Sequence, residues 1–202
     1  MSVQDRGPSL TTPFLPDQPR TRTTEQARPA SSARGPALAV LRIVMGLTFL
    51  WAFFDKTFGL GYSTSSAQAW ISGGSPTNGF LGHVQVGPMQ SMLRDWAGAG
   101  WADWLFMLAL LGLGVALLLG VALRPAAVAG TVLLALMWIA EWPLARSTSA
   151  GTATSSTNPL IDYHLVYLVV LIVLAAFAAG DTWGLGRRWA DLGLVRRNRW
   201  MH

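Results

Sequence analysis

Four stretches of this chain are predominantly apolar, residues 37–58, 102–123, 126–143 and 160–179, and the segments between and around them are polar. An α-helix rises about 1.5 Å per residue, so about twenty residues cross a hydrocarbon core of roughly 30 Å. Each stretch therefore reads as a membrane-spanning helix, the third being the shortest. At about 100° per residue, Arg42, Gly46, Phe49, Phe53 and Lys56 share one face of the first span. That predicts a buried stripe with a cation at either end and a glycine where a neighbour can approach. Arg42 and Lys56 lie about 21 Å apart along the axis and so belong to opposite leaflets. Arg42 is expected to snorkel to the inner interface.

The other spans carry their own punctuation. Trp101 and Trp104 suit the aromatic belt at the outer end of the second, and Gly112, Ala116 and Gly120 form a small-xxx-small ladder that predicts tight helix contact. Arg124-Pro125 reads as a tight turn, Ala126 and Gly130 offer small-residue contact in the third span, and Pro143 ends it. Asn158 as N-cap with Pro159 at the first helical position starts the fourth, which Gly180 ends. In the first loop, residues 66–72 (SAQAWIS) predict a turn or two of helix around Trp70. Met89, Met92, Leu93, Trp96 and Ala97 recur at the spacing of a short amphipathic helix, which belongs in the interface or over the mouth of the bundle.

The expected fold is thus all-α, an integral membrane four-helix bundle with a short amphipathic helix in its first outer loop. It divides into a tail of residues 1–36, a four-span domain of residues 37–180 and a basic tail of residues 181–202. The first tail holds Pro8, Pro13, Pro16, Pro19, Pro29 and Pro36 among Ser, Thr, Gln and Arg, a composition that buries too little to order itself and reads as disordered. Its polarity also gives no expectation of a signal peptide.

Composition agrees with the pattern. The 202 residues are 51% hydrophobic and 12% charged, against about a quarter charged in a soluble domain. A net charge of +5 would raise nucleic acid as a partner in a soluble protein. Here the positive-inside rule accounts for it, and no nucleic acid is expected. Arg6, Arg20, Arg22, Arg28 and Arg34 stand in one tail, Arg187, Arg188, Arg196, Arg197 and Arg199 in the other, and Arg124 in the turn between spans two and three. The two remaining loops hold only Arg94 and Arg146, with Lys56 at the margin. Both termini are therefore expected on the cytoplasmic side of the plasma membrane, which requires an even number of spans. The chain has no cysteine, which excludes disulfides, thiol exchange and cysteine-ligated clusters.

With that topology the ionisable residues converge on one layer at the outer mouth. Asp55 and Lys56 end span one, Asp103 starts span two, Glu141 ends span three, and Asp162 with His164 opens span four. Polar groups at such depth need partners, and Lys56 with Glu141 or Asp162 is the expected pair, with His164 and Tyr163 or Tyr167 as hydrogen-bond neighbours. The candidate catalytic residues are His164, suited to moving protons, and Glu141. The candidate substrate-binding residues are Lys56, Asp103 and Asp162. A structural account stands beside each: Asp103 and Asp162 are favoured at helix N-termini by the dipole, and Lys56 with Glu141 forms an ion pair that only holds helices together. No metal-ligand spacing is visible, and His83 and His202 do not form a haem-ligating pair with His164.

Residues 41–56 (LRIVMGLTFLWAFFDK), 69–82 (AWISGGSPTNGFLG), 103–120 (DWLFMLALLGLGVALLLG), 158–172 (NPLIDYHLVYLVVLI) and 178–186 (AAGDTWGLG) in this arrangement resemble the DoxX/DoxD family of small four-span membrane proteins. The resemblance covers most of the chain from residue 37 onward. DoxD-like members are associated with thiosulfate:quinone oxidoreductase as its large membrane subunit, and DoxX members with membrane-associated redox complexes. The resemblance therefore implies electron transfer from thiosulfate or another small sulfur compound to membrane quinone. Quinone would be the cofactor, the lipid bilayer the surroundings, and a second redox subunit or soluble enzyme the partner. On that reading an anion enters near Lys56, and His164 with Glu141 manages the protons. The alternative is a non-catalytic membrane scaffold that anchors a redox or envelope complex.

Overall fold

Helix α1 spans Ser31–Phe58 in the computed structural model, which describes residues 31–201. Most of the tail expected to be disordered, including Arg6, Arg20, Arg22 and Arg28, lies outside the described residues, as does His202. Its last six residues are helical instead, with Pro36 inside the helix. Tertiary contact outweighs composition there. The Arg34 guanidinium sits 4.1 Å from the centre of the Phe177 ring, Gly35 lies so near Thr182 that a Cβ would come within 2.8 Å of its Oγ1, and Ala39 is fully buried.

Gly59, at φ 65°, turns the chain into the first loop. Two 3-10 turns follow, Ser66–Gln68 and Trp70–Ser72, and the Trp70 ring meets Trp104 edge-on at 4.6 Å. The short helix α2 is Asn78–Leu81 and α3 is Gln90–Trp96. Most of the amphipathic face of α3 is used as expected: Leu93 is buried in a small cluster with Val84 and Ala140, bordered by Phe80, Leu81, Met89 and Trp96, whereas Met92 is exposed. The loop therefore caps the mouth of the bundle.

Helix α4 is Gly100–Leu119 and α5 is Leu123–Glu141. The turn between them is residues 120–122, with Gly120 at φ 70° and Ala122 at φ 50°. Arg124-Pro125 thus lies within the first turn of α5, where proline loses no hydrogen bond. Helix α6 is Tyr163–Ala176, N-capped by Asp162, whose carboxylate accepts from Leu165 N–H at 3.0 Å. The expected cap, Asn158, instead accepts from the N–H groups of Leu160 and Ile161 and shapes the approach. A 3-10 turn, Ala179–Asp181, is followed by α7 (Gly186–Ala190), α8 (Gly193–Arg197) and a final 3-10 turn, Arg199–Met201. No strand forms among the described residues; Ser147 and Ala153 make an isolated bridge.

Helices α1, α4 and α5 are long and apolar enough to cross a membrane. Helix α6 has 14 residues, but its chain continues through the following 3-10 turn until Gly180 meets the backbone of Gly120. It therefore runs from the level of Glu141 to the level of the α4–α5 turn. Helix α1 lies on α4 and α5 on α6, with α4 against α5 closing the bundle. The core is Met45 and Phe49 of α1, Met107, Leu113 and Leu117 of α4, and Leu134, Leu171 and Leu174 of α5 and α6. Val44, Leu47, Trp51 and Phe54 face outward, as lipid-facing residues do.

The close contact is only partly where the ladder placed it, at Gly120 against Gly180 and Arg42. Gly112 has open space around its Cα, whereas Gly114 lies against Leu50 and Gly46 against the backbone at Gly114 and Leu118. Small residues at both positions let α1 and α4 approach. Gly130 does the same for Leu113 and Leu171 in the third span, as expected.

Candidate functional site

The two ends of the bundle treat charge differently. Arg42 does not snorkel: its side chain is 0% exposed, and its guanidinium donates to the carbonyls of Leu117, Leu118, Ala179, Thr182 and Trp183. The C-terminal turn of α4 leaves carbonyls without intrahelical partners, and so does the end of α6 with its 3-10 extension. A planar fork with five N–H groups reaches both sets at once. Gly120 makes room for it, since a Cβ there would stand 3.1 Å from the guanidinium carbon. Snorkelling presumes a free path to water, and the chain folding back over 179–183 removes that path.

At the other end, two of the expected acids are used to fasten the loop. Asp55, 1% exposed, accepts from Tyr62 N–H at 3.3 Å, Ser63 N–H at 3.0 Å and Ser63 O–H at 2.6 Å. Asp103 accepts from Ser75 O–H at 2.8 Å, Thr77 N–H at 3.0 Å and Thr77 O–H at 2.6 Å. Asp103 therefore positions the loop over the bundle. The expected pairing of Lys56 with Glu141 or Asp162 does not form; its ammonium lies 5.8 Å from the centre of the Phe106 ring. Lys56, in the last turn of α1, faces α4, whereas Glu141 ends α5 beside Asp162, the N-cap of α6.

The remaining candidates do come together. His164, 1% exposed, places Nδ1 2.9 Å from Asp162 Oδ2 and 3.7 Å from Glu141 Oε2. Tyr163 O–H donates to Glu141 Oε1 at 2.9 Å, and the Tyr163 and His164 ring centres are 4.0 Å apart. Tyr167 joins through an edge-on contact with Tyr163 at 6.0 Å. A carboxylate only accepts, so Nδ1 carries the proton shared with Asp162. The other ring nitrogen, Nε2, is buried and has no hydrogen-bond partner among the described residues. A buried polar atom left unpaired costs about 1–3 kcal/mol and marks a place to look for chemistry. Chain geometry explains the cluster: Asp162 is the N-cap, His164 sits in the first turn of α6, and Glu141 is the last residue of the antiparallel α5.

No metal spacing is visible in the sequence, yet Glu141, Asp162 and His164 each offer one ligand atom within 4.8 Å of the others. Such a donor set suits a divalent cation. Without an ion, the same cluster is held by the Nδ1–H bond to Asp162 and the Tyr163 O–H bond to Glu141, with Glu141 Oε2 3.7 Å from Nδ1.

Two hollows adjoin this end. A cleft of about 830 Å³ is lined by Glu141, Asp162 and Tyr163 on one side and by His83, Thr154 and Ser156 of the loops on the other. An apolar pocket of about 360 Å³ lies between α4 and α5 beneath the loop, walled by Trp96, Trp101, Phe106, Ala109 and Leu133. Phe80 lines both. Sequence reasoning missed Phe80 and the polar wall at Thr154 and Ser156. The only signal for the latter is the Ser/Thr run of residues 152–157, which is also how an ordinary loop reads.

A family model described as DoxX matches residues 37–142, just over half of the chain, from α1 to the residue after Glu141. Comparison with curated proteins and with solved structures gives no match.

Proposed function

The chain belongs to the DoxX family of membrane proteins, and from that premise we propose that it is the membrane subunit of a quinone-linked redox complex. Electrons would come from thiosulfate or another small sulfur compound through a second subunit, and protons would pass through the His164 cluster. The observation that carries this reading is the buried imidazole with Nδ1 on Asp162 and Nε2 unpaired. Reduction of a quinone takes two electrons and two protons at its carbonyl oxygens. His164 supplies a group that can hold a proton, Asp162 stabilises the imidazolium so formed, and Glu141 with Tyr163 links it to the cleft, whose wall they form in front of His164. The apolar pocket, with aromatic walls and a mouth bordered by outward-facing Trp101 and Leu105, suits a ring arriving from the bilayer.

An anionic sulfur compound is not favoured in the cleft itself, since two carboxylates line it. This supports donation through a partner. Arg34, Arg124, Arg187, Arg188, Arg196 and Arg197 gather at the opposite end, which supports a cytoplasmic placement of both chain termini in the plasma membrane. The test is thiosulfate-dependent reduction of a soluble quinone by membranes containing the protein. His164→Gln is expected to lower the rate by at least ~10². Equal rates in membranes without the protein would end the reading.

One set of observations favours the scaffold instead. Arg42, Asp55 and Asp103 are consumed by bonds within the fold, so most of the buried charge already serves structure. A stoichiometric soluble partner recovered from detergent extract, with wild-type activity of the complex in His164→Gln, is the outcome that selects it.

A further inference from the structure

The segment after the bundle is neither a loose tail nor part of the core. Trp183 and Leu185 are tied to the bundle, the first by its carbonyl accepting from Arg42 Nη2 of α1 at 3.0 Å and the second by its N–H to Leu119 O at the end of α4 at 2.8 Å. Farther on, Val195 is 1% exposed, Trp189 Nε1 donates to Met201 O at 2.9 Å, and the last 3-10 turn rests on α5. The segment is therefore held across the end of the bundle, at the level where α4 stops and α5 begins, which is the edge of the hydrocarbon layer.

Its outer surface alternates two kinds of side chain. Trp183, Leu185, Leu192, Leu194 and Trp200 are exposed, between 41% and 66%. Arg187, Arg188, Arg196 and Arg197 are exposed among them, against the acids Asp181 and Asp191. In water, large apolar side chains in this number gain nothing by being out. At a membrane edge they enter the acyl boundary while arginines reach the phosphates above. The charge identifies the surface: arginine pairs the oxygens of phosphate with its planar fork, and a cationic surface is drawn to an anionic leaflet.

We propose that residues 181–201 form a built-in docking face for anionic phospholipids, with the paired arginines of α7 and α8 on the headgroup phosphates and the tryptophans and leucines in the acyl boundary. Because the same segment supplies two of the carbonyls that hold Arg42, lipid bound there also stabilises the closed end of the bundle.

The test titrates the purified full chain in a neutral detergent with phosphatidylglycerol or phosphatidylcholine and follows the thermal unfolding midpoint. Phosphatidylglycerol is expected to raise the midpoint by several degrees and to act at about tenfold lower concentration than phosphatidylcholine. The preference should fade at high salt. R187Q/R188Q/R196Q/R197Q should abolish it, and R196Q/R197Q, at exposed positions near the chain end, should reduce it while preserving the fold. R94Q/R146Q, in the loops of the opposite end, should leave it intact. Equal action of the two lipids, a preference that survives the quadruple variant, or the same shift from inorganic phosphate alone would overturn the proposal.

Discussion

Replacing Arg42 with methionine keeps most of the volume and removes every donor, and the structure sets the scale of the effect. The guanidinium serves five carbonyls from two helix ends, and among the described residues no carboxylate pairs with it. Removal returns the cost of desolvating a cation, which is several kcal/mol. Against that, each carbonyl loses a charge-assisted bond worth about 1.5–3 kcal/mol, in a place where little water can substitute. With one of the five long, at 3.5 Å to Thr182 O, the losses exceed the return by at least about 2 kcal/mol. Arg42→Lys should fare little better, because one ammonium cannot serve acceptors on both sides of a fork. The assay is reversible unfolding in mixed micelles followed by far-ultraviolet circular dichroism. A local readout is available because the chain has no cysteine: Thr182→Cys should react with a maleimide much faster when Arg42 is methionine. If both variants lie within about 0.5 kcal/mol of the parent and labelling is unchanged, the carbonyl latch is not what holds this end.

Three further outcomes follow from the same geometry. Gly114→Ala should destabilise by about 1–3 kcal/mol in the same unfolding assay, because its Cβ would press on Leu50, whereas Gly112→Ala should be neutral or slightly stabilising; the reverse order would restore the ladder read from the sequence. Asp103→Ala leaves Thr77 N–H and two hydroxyls without their acceptor and should cost about 2 kcal/mol, with faster proteolysis between residues 72 and 82 as the direct sign. Asp162→Asn keeps a capping oxygen for Leu165 N–H and should cost less than Asp162→Ala, which should lose about 1 kcal/mol of α6 stability. Equal losses would mean that the cap is not the reason for an acid there.

The spans, the amphipathic α3 and the convergence of Glu141, Asp162 and His164 were legible because they depend on periodicity and on order along the chain. An antiparallel pair of helices joined by a loop must bring the end of one to the start of the next, so Glu141 and His164 meet whatever else happens. What stayed hidden depends on helix rotation and on return paths. Lys56 could be assigned to a level but not to a neighbour, because the rotation of α1 about its axis decides whether it meets Phe106 of α4 or the acids at the end of α5. Gly112 and Gly114 are two residues apart on opposite sides of one helix, and the small-xxx-small spacing does not say which side meets α1. Arg42 was misread because nothing local announces that residues 179–183 fold back over it. Helix α1 began early for the same kind of reason, with Phe177 and Thr182 supplying contacts that the Pro-rich composition cannot reveal.

The contrast between the ends has a chemical consequence. Arg42 is the more deeply unusual charge, yet each of its nitrogens already has a carbonyl to donate to, and a guanidinium does not release a proton in a protein. A group so fully satisfied can hold structure and little else. His164 is buried as deeply, but among the described residues only its Nδ1 has a partner, and that partner, Asp162, is engaged in turn as the cap of α6. That is the arrangement in which a carboxylate fixes an imidazole and leaves the second nitrogen to act. The proton exchange proposed above is therefore assigned to the end where the fold stops one hydrogen bond short, and that end also holds the cleft and the apolar pocket.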